Sequence, residues 1–236
     1  MSAAREAVLG RLREAYGRNA EAQAVAEANV RERVGRTEPN LIPERGQRDL
    51  DGRVALFAEM AQAVMAEIRH VPDPAEVPAF VAAYLREHNL PQRIVMAPEP
   101  LLDRCPWRTQ PLLRVRRGTA AESDLVGVTL ALAGVAETGT LVLASSPERP
   151  TLLTQLPETS IVVLPRDRID GAYEQAWDRV RALPGGVPRS VNFITGPSRT
   201  ADIAQKLELG AHGPRRLLIL VVDGLLDASL SSPPPS

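Results

Sequence analysis

The chain has 236 residues, with 28 basic and 29 acidic side chains and a formal net charge of −1. That near-balance offers no global field to nucleic acid or to an anionic membrane surface. The single cysteine, Cys105, excludes an internal disulfide and any Cys-ligated metal cluster built by this chain alone.

One cysteine fits a reducing compartment. The amino-terminal M-S-A-A-R-E-A-V-L-G lacks the apolar core of a signal peptide. No apolar run approaches the roughly 20 residues that span a bilayer. These features predict a cytoplasmic protein without membrane insertion. Lys206 is the only lysine, which leaves one candidate for amine chemistry.

Residues 3–34 are rich in Ala, Glu and Arg. Val8, Leu12, Ala15 and Tyr16 follow helical spacing, interrupted by Gly10 and Gly17. They predict an amphipathic arm whose stripe packs on the body or on a partner. Residues 35–52 combine Pro, Gly and charge without periodicity and read as an exposed connection. Residues 1–50 thus form an arm and connection, 51–226 an α/β domain, and 227–236, ending S-S-P-P-P-S, a disordered tail.

Val54, Phe57, Met60, Ala61, Val64, Met65 and Ile68 share one helical face. D-P-A-E then places Asp73 as N-cap, Pro74 at the first helical position and Glu76 as capping-box partner. That helix passes through Tyr84 and Leu85 and stops near Asn89. From there the chain shows short apolar runs at 94–96, 141–143, 161–164, 191–194 and 217–222. The last, L-L-I-L-V-V, is apolar on both faces, as a central strand should be. Between these runs, Asp170 is expected to cap a helix with the stripe Tyr173, Ala176, Trp177 and Val180. Thr200–Leu209 reads as another, with Ile203 and Leu207 inward and Gly210 ending it. The alternation predicts a mostly parallel sheet flanked by helices, with an amino-terminal helical extension.

Open parallel sheets bind ligands beyond the carboxyl ends of their strands, and three loops are expected to gather there. In F-I-T-G-P-S-R-T-A-D-I, residues 193–203, Gly196 and Pro197 meet Ser198, Arg199 and Thr200 at a strand-to-helix turn. Unpaired N–H groups of a helix start and the Arg199 fork suit a carboxylate or phosphate. The same residues also fit a Ser198 cap with Arg199 paired to a neighbouring acid. In V-A-E-T-G-T-L-V-L, residues 135–143, Glu137 is a candidate nucleophile or base, with Thr138 and Thr140 as hydroxyl donors. A bulged strand with Glu137 merely exposed is the other reading. L-G-A-H-G-P, residues 209–214, sets His212 between Gly210 and Gly213. His70 and His88 fall at predicted helix ends, where the dipole accounts for them. The chain contains no G-x-x-x-x-G-K-[ST], G-x-G-x-x-G or G-x-S-x-G motif, and no cluster with metal-ligand spacing.

In order, A-E-T-G-T-L-V-L, I-T-G-P-S-R-T-A-D-I, L-G-A-H-G-P and a strand ending in Asp223-Gly224 resemble the lactate-utilisation (LUD) domain family, over roughly residues 50–224. The resemblance implies a fold like ribose-5-phosphate isomerase and the CoA-transferases. It also implies an accessory subunit of a complex with iron–sulfur proteins that oxidises L-lactate, with the clusters in the partners. Its pattern falls on Glu137 as the catalytic candidate. Thr138, Gly139, Thr140, Gly196, Pro197, Ser198, Arg199, Thr200, Asp202, His212 and Gly213 are the ligand- or anion-binding candidates. No cofactor or metal is expected on this chain. One departure stands out: Leu132 occupies a position where the family commonly carries an acid. Two other readings stay open. One is a stand-alone enzyme similar to CoA-transferases or 5-formyltetrahydrofolate cyclo-ligase that uses Glu137; the other is a non-catalytic carboxylate sensor.

Overall fold

In the computed structural model, which describes residues 3–16, 20–35, 41–200, 208–209 and 213–226, the apolar run at 217–222 lies inside a six-stranded sheet. The chain divides into two units, Met1–Leu41 and Ile42–Ser236, within the stretch read as a connection. The first unit holds α1 (Ala3–Tyr16) and α2 (Ala20–Gly35), two helices where a single arm was expected. A groove lined by Leu9, Leu12, Ala26 and Val30 runs between them.

The second unit opens with α3 (Leu50–Ala63), β1 (Glu67–Val71), α4 (Val77–Glu87), β2 (Arg93–Met96) and the short α5 (Pro100–Asp103). Next come β3 (Arg114–Arg117), β4 (Val126–Leu130), β5 (Ala133–Val135), β6 (Thr140–Ala144) and α6 (Leu152–Gln155). β7 (Thr159–Pro165), β8 (Ile169–Asp170), α7 (Tyr173–Arg181) and β9 (Val191–Ile194) follow. β10 (Arg199–Thr200), β11 (Glu208–Leu209) and β12 (Arg216–Val222) come last.

The main sheet runs β1-β12-β7-β4-β2-β3, and every neighbouring pair is parallel. Successive side chains of a strand face opposite ways, and the core divides accordingly. Leu218, Leu220 and Val222 pack with Ile161, Val163, Val128 and the α4 residues Tyr84 and Leu85. Leu217, Ile219 and Val221 pack with Val162, Leu164 and the α3 residues Leu56, Phe57 and Ala61. A second sheet, β8-β5-β6-β9, closes over this α3 side through Leu141 and Leu143. Its opposite face buries Ala133, Val135, Val142 and Ala144 under Ala176 and Val180 of α7. The result is an α/β fold with a mostly parallel sheet flanked by helices, as the sequence predicts.

Several local expectations are corrected. The helix predicted through Ile68 stops at Ala63, because Met65 turns left-handed (φ 69°) and Ala66 N–H returns to Ala61 O at 3.0 Å. Ile68 and His70 therefore lie in β1, and His70 is not at a helix end. Its Nε2 instead meets Asp223 Oδ2 at 2.9 Å. Asp73 does cap, accepting from Ala75 N–H at 2.8 Å, but over a 3-10 turn that precedes α4, with no capping-box bond from Glu76. Asp170 is a β8 residue held by Arg179, and α7 starts instead from Ala172 and Gln175. Gly46, expected in an exposed connection, is buried so closely on Gly171 that an added Cβ would sit 2.5 Å from its carbonyl oxygen. Thr200, expected as the first turn of a helix, is extended and pairs with Glu208; residues 201–207 of that expected helix lie outside the described residues, as does the tail 227–236.

Cys105 is buried, and burial pushes its thiol up to about 12. As pH rises past the ordinary thiol value, the unfolded chain ionises while the folded chain does not, so stability falls with rising pH. At pH 8 a thiol reagent should label the folded protein at least about 100-fold more slowly than the denatured chain, as timed by absorbance or mass spectrometry. Equal rates would place the thiol at the surface.

Candidate functional site

The turn Glu137–Thr140 leaves β5 where that strand lies beside β8. Ala136 N–H donates to Asp170 O at 2.8 Å, and Glu137 N–H to Gly171 O at 3.1 Å. Asp170 is fixed in turn by Nε and Nη2 of Arg179, at 2.6 and 2.8 Å, and that bonding holds the guanidinium above its usual range. Gly139 adopts φ 65° because the turn presses on the last turns of α3: a Cβ there would lie 2.3 Å from Ala61 N. Glu137, open to solvent in one sequence reading, is only 5 % exposed. Its Oε2 is buried and has no hydrogen-bond partner. A buried carboxylate oxygen without a partner is costly, so it marks a position that a ligand's donor would satisfy.

The two threonines of the turn join two hydroxyls the sequence reading left out. Thr138 Oγ1 and Thr140 Oγ1 are 2.7 Å apart, and the Tyr173 hydroxyl lies 3.1 and 3.0 Å from them. Thr140 Oγ1 also lies 2.7 Å from Thr195 Oγ1. Four hydroxyl protons serve four contacts, so the cluster satisfies itself. It ties β6, α7 and the end of β9 together. Thr195 stands directly before Gly196 and was legible as part of that motif. Tyr173 sits in the α7 stripe, which spacing assigns to the core.

At the next loop, Gly196 adopts φ 75°, and a Cβ would meet Val64 O at 2.4 Å. The Arg199 guanidinium donates to that same Val64 carbonyl at the end of α3, where the helix is partially negative. Ser198 N–H donates to Pro214 O at 2.9 Å, and a Cβ on Gly213 would lie 3.2 Å from the Ser198 Cβ. Pro197 is buried here, whereas Arg199 is exposed. A cleft of about 640 Å³ opens beside Thr195, Ser198, Arg199, Gly213 and Val64. Asp202, Gly210 and His212 lie outside the described residues.

The three loops thus meet, Thr140 on Thr195 and Ser198 on Pro214, but not at the edge expected. They close the carboxyl ends of β5, β8 and β9 in the smaller sheet. In the main sheet, Val64 and Pro214 stand just before β1 and β12, which is the amino-terminal edge. Leu132, where the resemblance leads one to expect an acid, is buried among Ala133, Val142 and Val180. Among the described residues, no group of three or more His, Cys, Asp or Glu could hold a metal ion, and no helix is long and apolar enough to cross a membrane.

The LUD domain profile matches residues 54–222. An uncharacterized protein of Neisseria meningitidis is 40% identical over 96 residues, covering 41% of each chain. Lactate utilization protein C of Bacillus subtilis is 39% identical over 105 residues, 43% of this chain and 44% of that relative. Its counterpart in Macrococcus caseolyticus is 37% identical over 106 residues, 44% and 46% of the two chains. These matches span less than half the length of each relative. A crystal structure of a DUF162 family protein from Deinococcus radiodurans shares the fold. Its TM-score is 0.58 at 24% identity, over 74% of this chain and 99% of that one.

Gly139→Ala should lower stability by about 3 kcal/mol, through left-handed strain and the clash with α3. Gly185→Ala, also at positive φ (87°) but with nothing within 4 Å, should cost clearly less. Thermal or denaturant melts of the two variants check the difference. Equal losses would show that α3 yields freely to the turn.

Proposed function

The chain belongs to the LUD domain family, and from that premise we propose that it serves lactate utilisation as an accessory subunit acting with iron–sulfur partner proteins. The observation that carries this reading is the 37–39% identity to relatives named lactate utilization protein C. With one cysteine, the chain leaves electron transfer through clusters to its partners. Its own part is to bind a small carboxylate or other anion where the three loops meet. Ser198, Arg199 and the backbone around Gly196 face the cleft. An arriving carboxylate would draw the Arg199 guanidinium from the Val64 carbonyl into a charge-assisted pair, the stronger of the two bonds. Thr138, Thr140, Thr195 and Tyr173 hold the two turns in register.

The buried Glu137 favours one further reading, in which its carboxylate attacks the acyl carbon of an acyl-CoA and forms an acyl-glutamyl anhydride as the CoA thiolate departs. A covalent adduct on Glu137 after incubation with an acyl-CoA, detected by peptide mass spectrometry, would favour it over the accessory role.

Deleting the gene for this chain should abolish growth on L-lactate as sole carbon source, and the intact gene should restore it. Affinity capture from lactate-grown cells should recover Cys-rich iron–sulfur proteins. The purified chain should bind no iron and oxidise no lactate. Undiminished growth of the deletion strain, or lactate turnover by the isolated chain, would overturn the assignment.

A further inference from the structure

The cleft beside Arg199 extends well past that residue. Val191, Asn192, Phe193 and Ile194, the whole of β9, line it, and Thr154 and Gln155 of α6 stand on its walls. Side chains of a strand alternate between faces, so a wall that takes in every successive residue is the strand's backbone edge. β9 is the last strand of the smaller sheet, and β6 is its one partner there. Its residues are all half-buried.

The ladder fixes which backbone groups face the cleft. β6 and β9 are antiparallel, with Leu143 opposite Asn192 and Leu141 opposite Ile194. Just outside that register, Ser145 N–H donates to Ser190 O at 2.9 Å, which marks a hydrogen-bonded pair. Such pairs alternate with pairs that exchange no bonds. Asn192 and Ile194 therefore bond inward to β6, whereas the N–H and C=O groups of Val191 and Phe193 point outward. Outside the β6 ladder, neither Val191 nor Phe193 has a backbone hydrogen bond among the described residues. Unpaired edge groups of this kind are a template for one more strand.

We propose that a single extended polypeptide segment of a partner protein enters this cleft and adds to the free edge of β9, with an acidic residue reaching Arg199. Backbone pairing selects a peptide over a small ligand, because only a strand offers N–H and C=O groups at matching intervals. Arg199 is the one charged residue among the described residues that line the cleft, and it is exposed, so it sets the sign the segment must carry. A second copy of the chain would offer only its own β9, set in the same cleft. A lone strand fits where such a folded edge does not. The inference rests on the reading of Arg199 as a partner for carboxylates, but not on lactate.

The test uses the full chain and a short fluorescein-labelled peptide of alternating Thr and Val with Glu at both ends, followed by fluorescence anisotropy and amide hydrogen exchange. In the free chain, the N–H groups of Asn192 and Ile194 should exchange at least about tenfold more slowly than those of Val191 and Phe193. Saturating peptide should slow Val191 and Phe193 at least about tenfold. Methylating alternate backbone nitrogens of the peptide should abolish binding in one parity and spare it in the other, since only one set faces β9. Exchanging Glu for Lys at both ends should weaken binding about threefold or more in wild type, and little in Arg199→Ala. Acetate, followed by melting of both proteins at fixed ionic strength, reads the small-carboxylate site separately. No peptide binding, binding that ignores methylation parity, or no protection of Val191 and Phe193 would overturn strand addition, and an acetate shift lost in Arg199→Ala would leave the small-carboxylate reading standing. Indifference to Glu or Lys in wild type would overturn the Arg199 contact that both readings share. Protection of Val191 and Phe193 that grows with protein concentration in the absence of peptide would assign the edge to a second copy and overturn the proposal too.

Discussion

The end of α3 is where the fold and the candidate site become one object. Two glycines from loops far apart in sequence, Gly139 and Gly196, take left-handed conformations so that backbone can lie directly on Ala61 and Val64. Neither contact leaves room for a Cβ. α3 is in turn fixed by Leu56, Phe57 and Ala61 in the core beneath the main sheet. Tight packing of this kind transmits position with little slack. The placement of Glu137, Thr138, Thr140, Ser198 and Arg199 therefore follows from where one helix ends.

The reversal of direction between the sheets explains why these loops share an edge. β4 and β7 run with the main sheet, and the chain then passes from each into β5 and β8, which pair with one another in the smaller sheet. Their carboxyl ends consequently arrive near the start of β1 and β12. The hydroxyl cluster of Thr138, Thr140, Tyr173 and Thr195 closes the gap between them with short bonds that need no solvent. The opposite edge of the main sheet carries charged pairs, Arg149 with Glu99 and Arg166 with Asp223. A fold of this kind can present two chemically different surfaces, one built on backbone and hydroxyls, the other on charge.

Much of this was legible in the residues. The doubly apolar run at 217–222 announced a central strand, and the runs at 94–96, 141–143, 161–164 and 191–194 are all strands in place. β1 was hidden because Ile68 continues the helical spacing of α3, and only the left-handed turn at Met65 breaks it. β5 and β8 escaped notice because strands of two or three residues carry too little periodicity to read. Asp170 looked like a cap because it precedes a helix, yet its partner Arg179 lies nine residues on and is visible only in three dimensions. The motif residues were found by resemblance, whereas Tyr173 was not, since an aromatic on an apolar stripe reads as core. Burial of Glu137 was likewise beyond spacing, because it depends on Gly171 and α3 meeting around it.

Glu137, buried with its Oε2 unbonded, offers the most direct test of whether a ligand's donor belongs at this turn. Glu137→Gln keeps the shape and removes the charge, so one pair of measurements decides the matter. The melting temperature of the purified variant is compared with wild type, alongside growth on L-lactate of a deletion strain that carries it. A midpoint at or above wild type together with loss of growth is expected, since a buried carboxylate oxygen without a partner opposes folding and is available to a ligand. A midpoint several degrees lower, or growth equal to wild type, would contradict it.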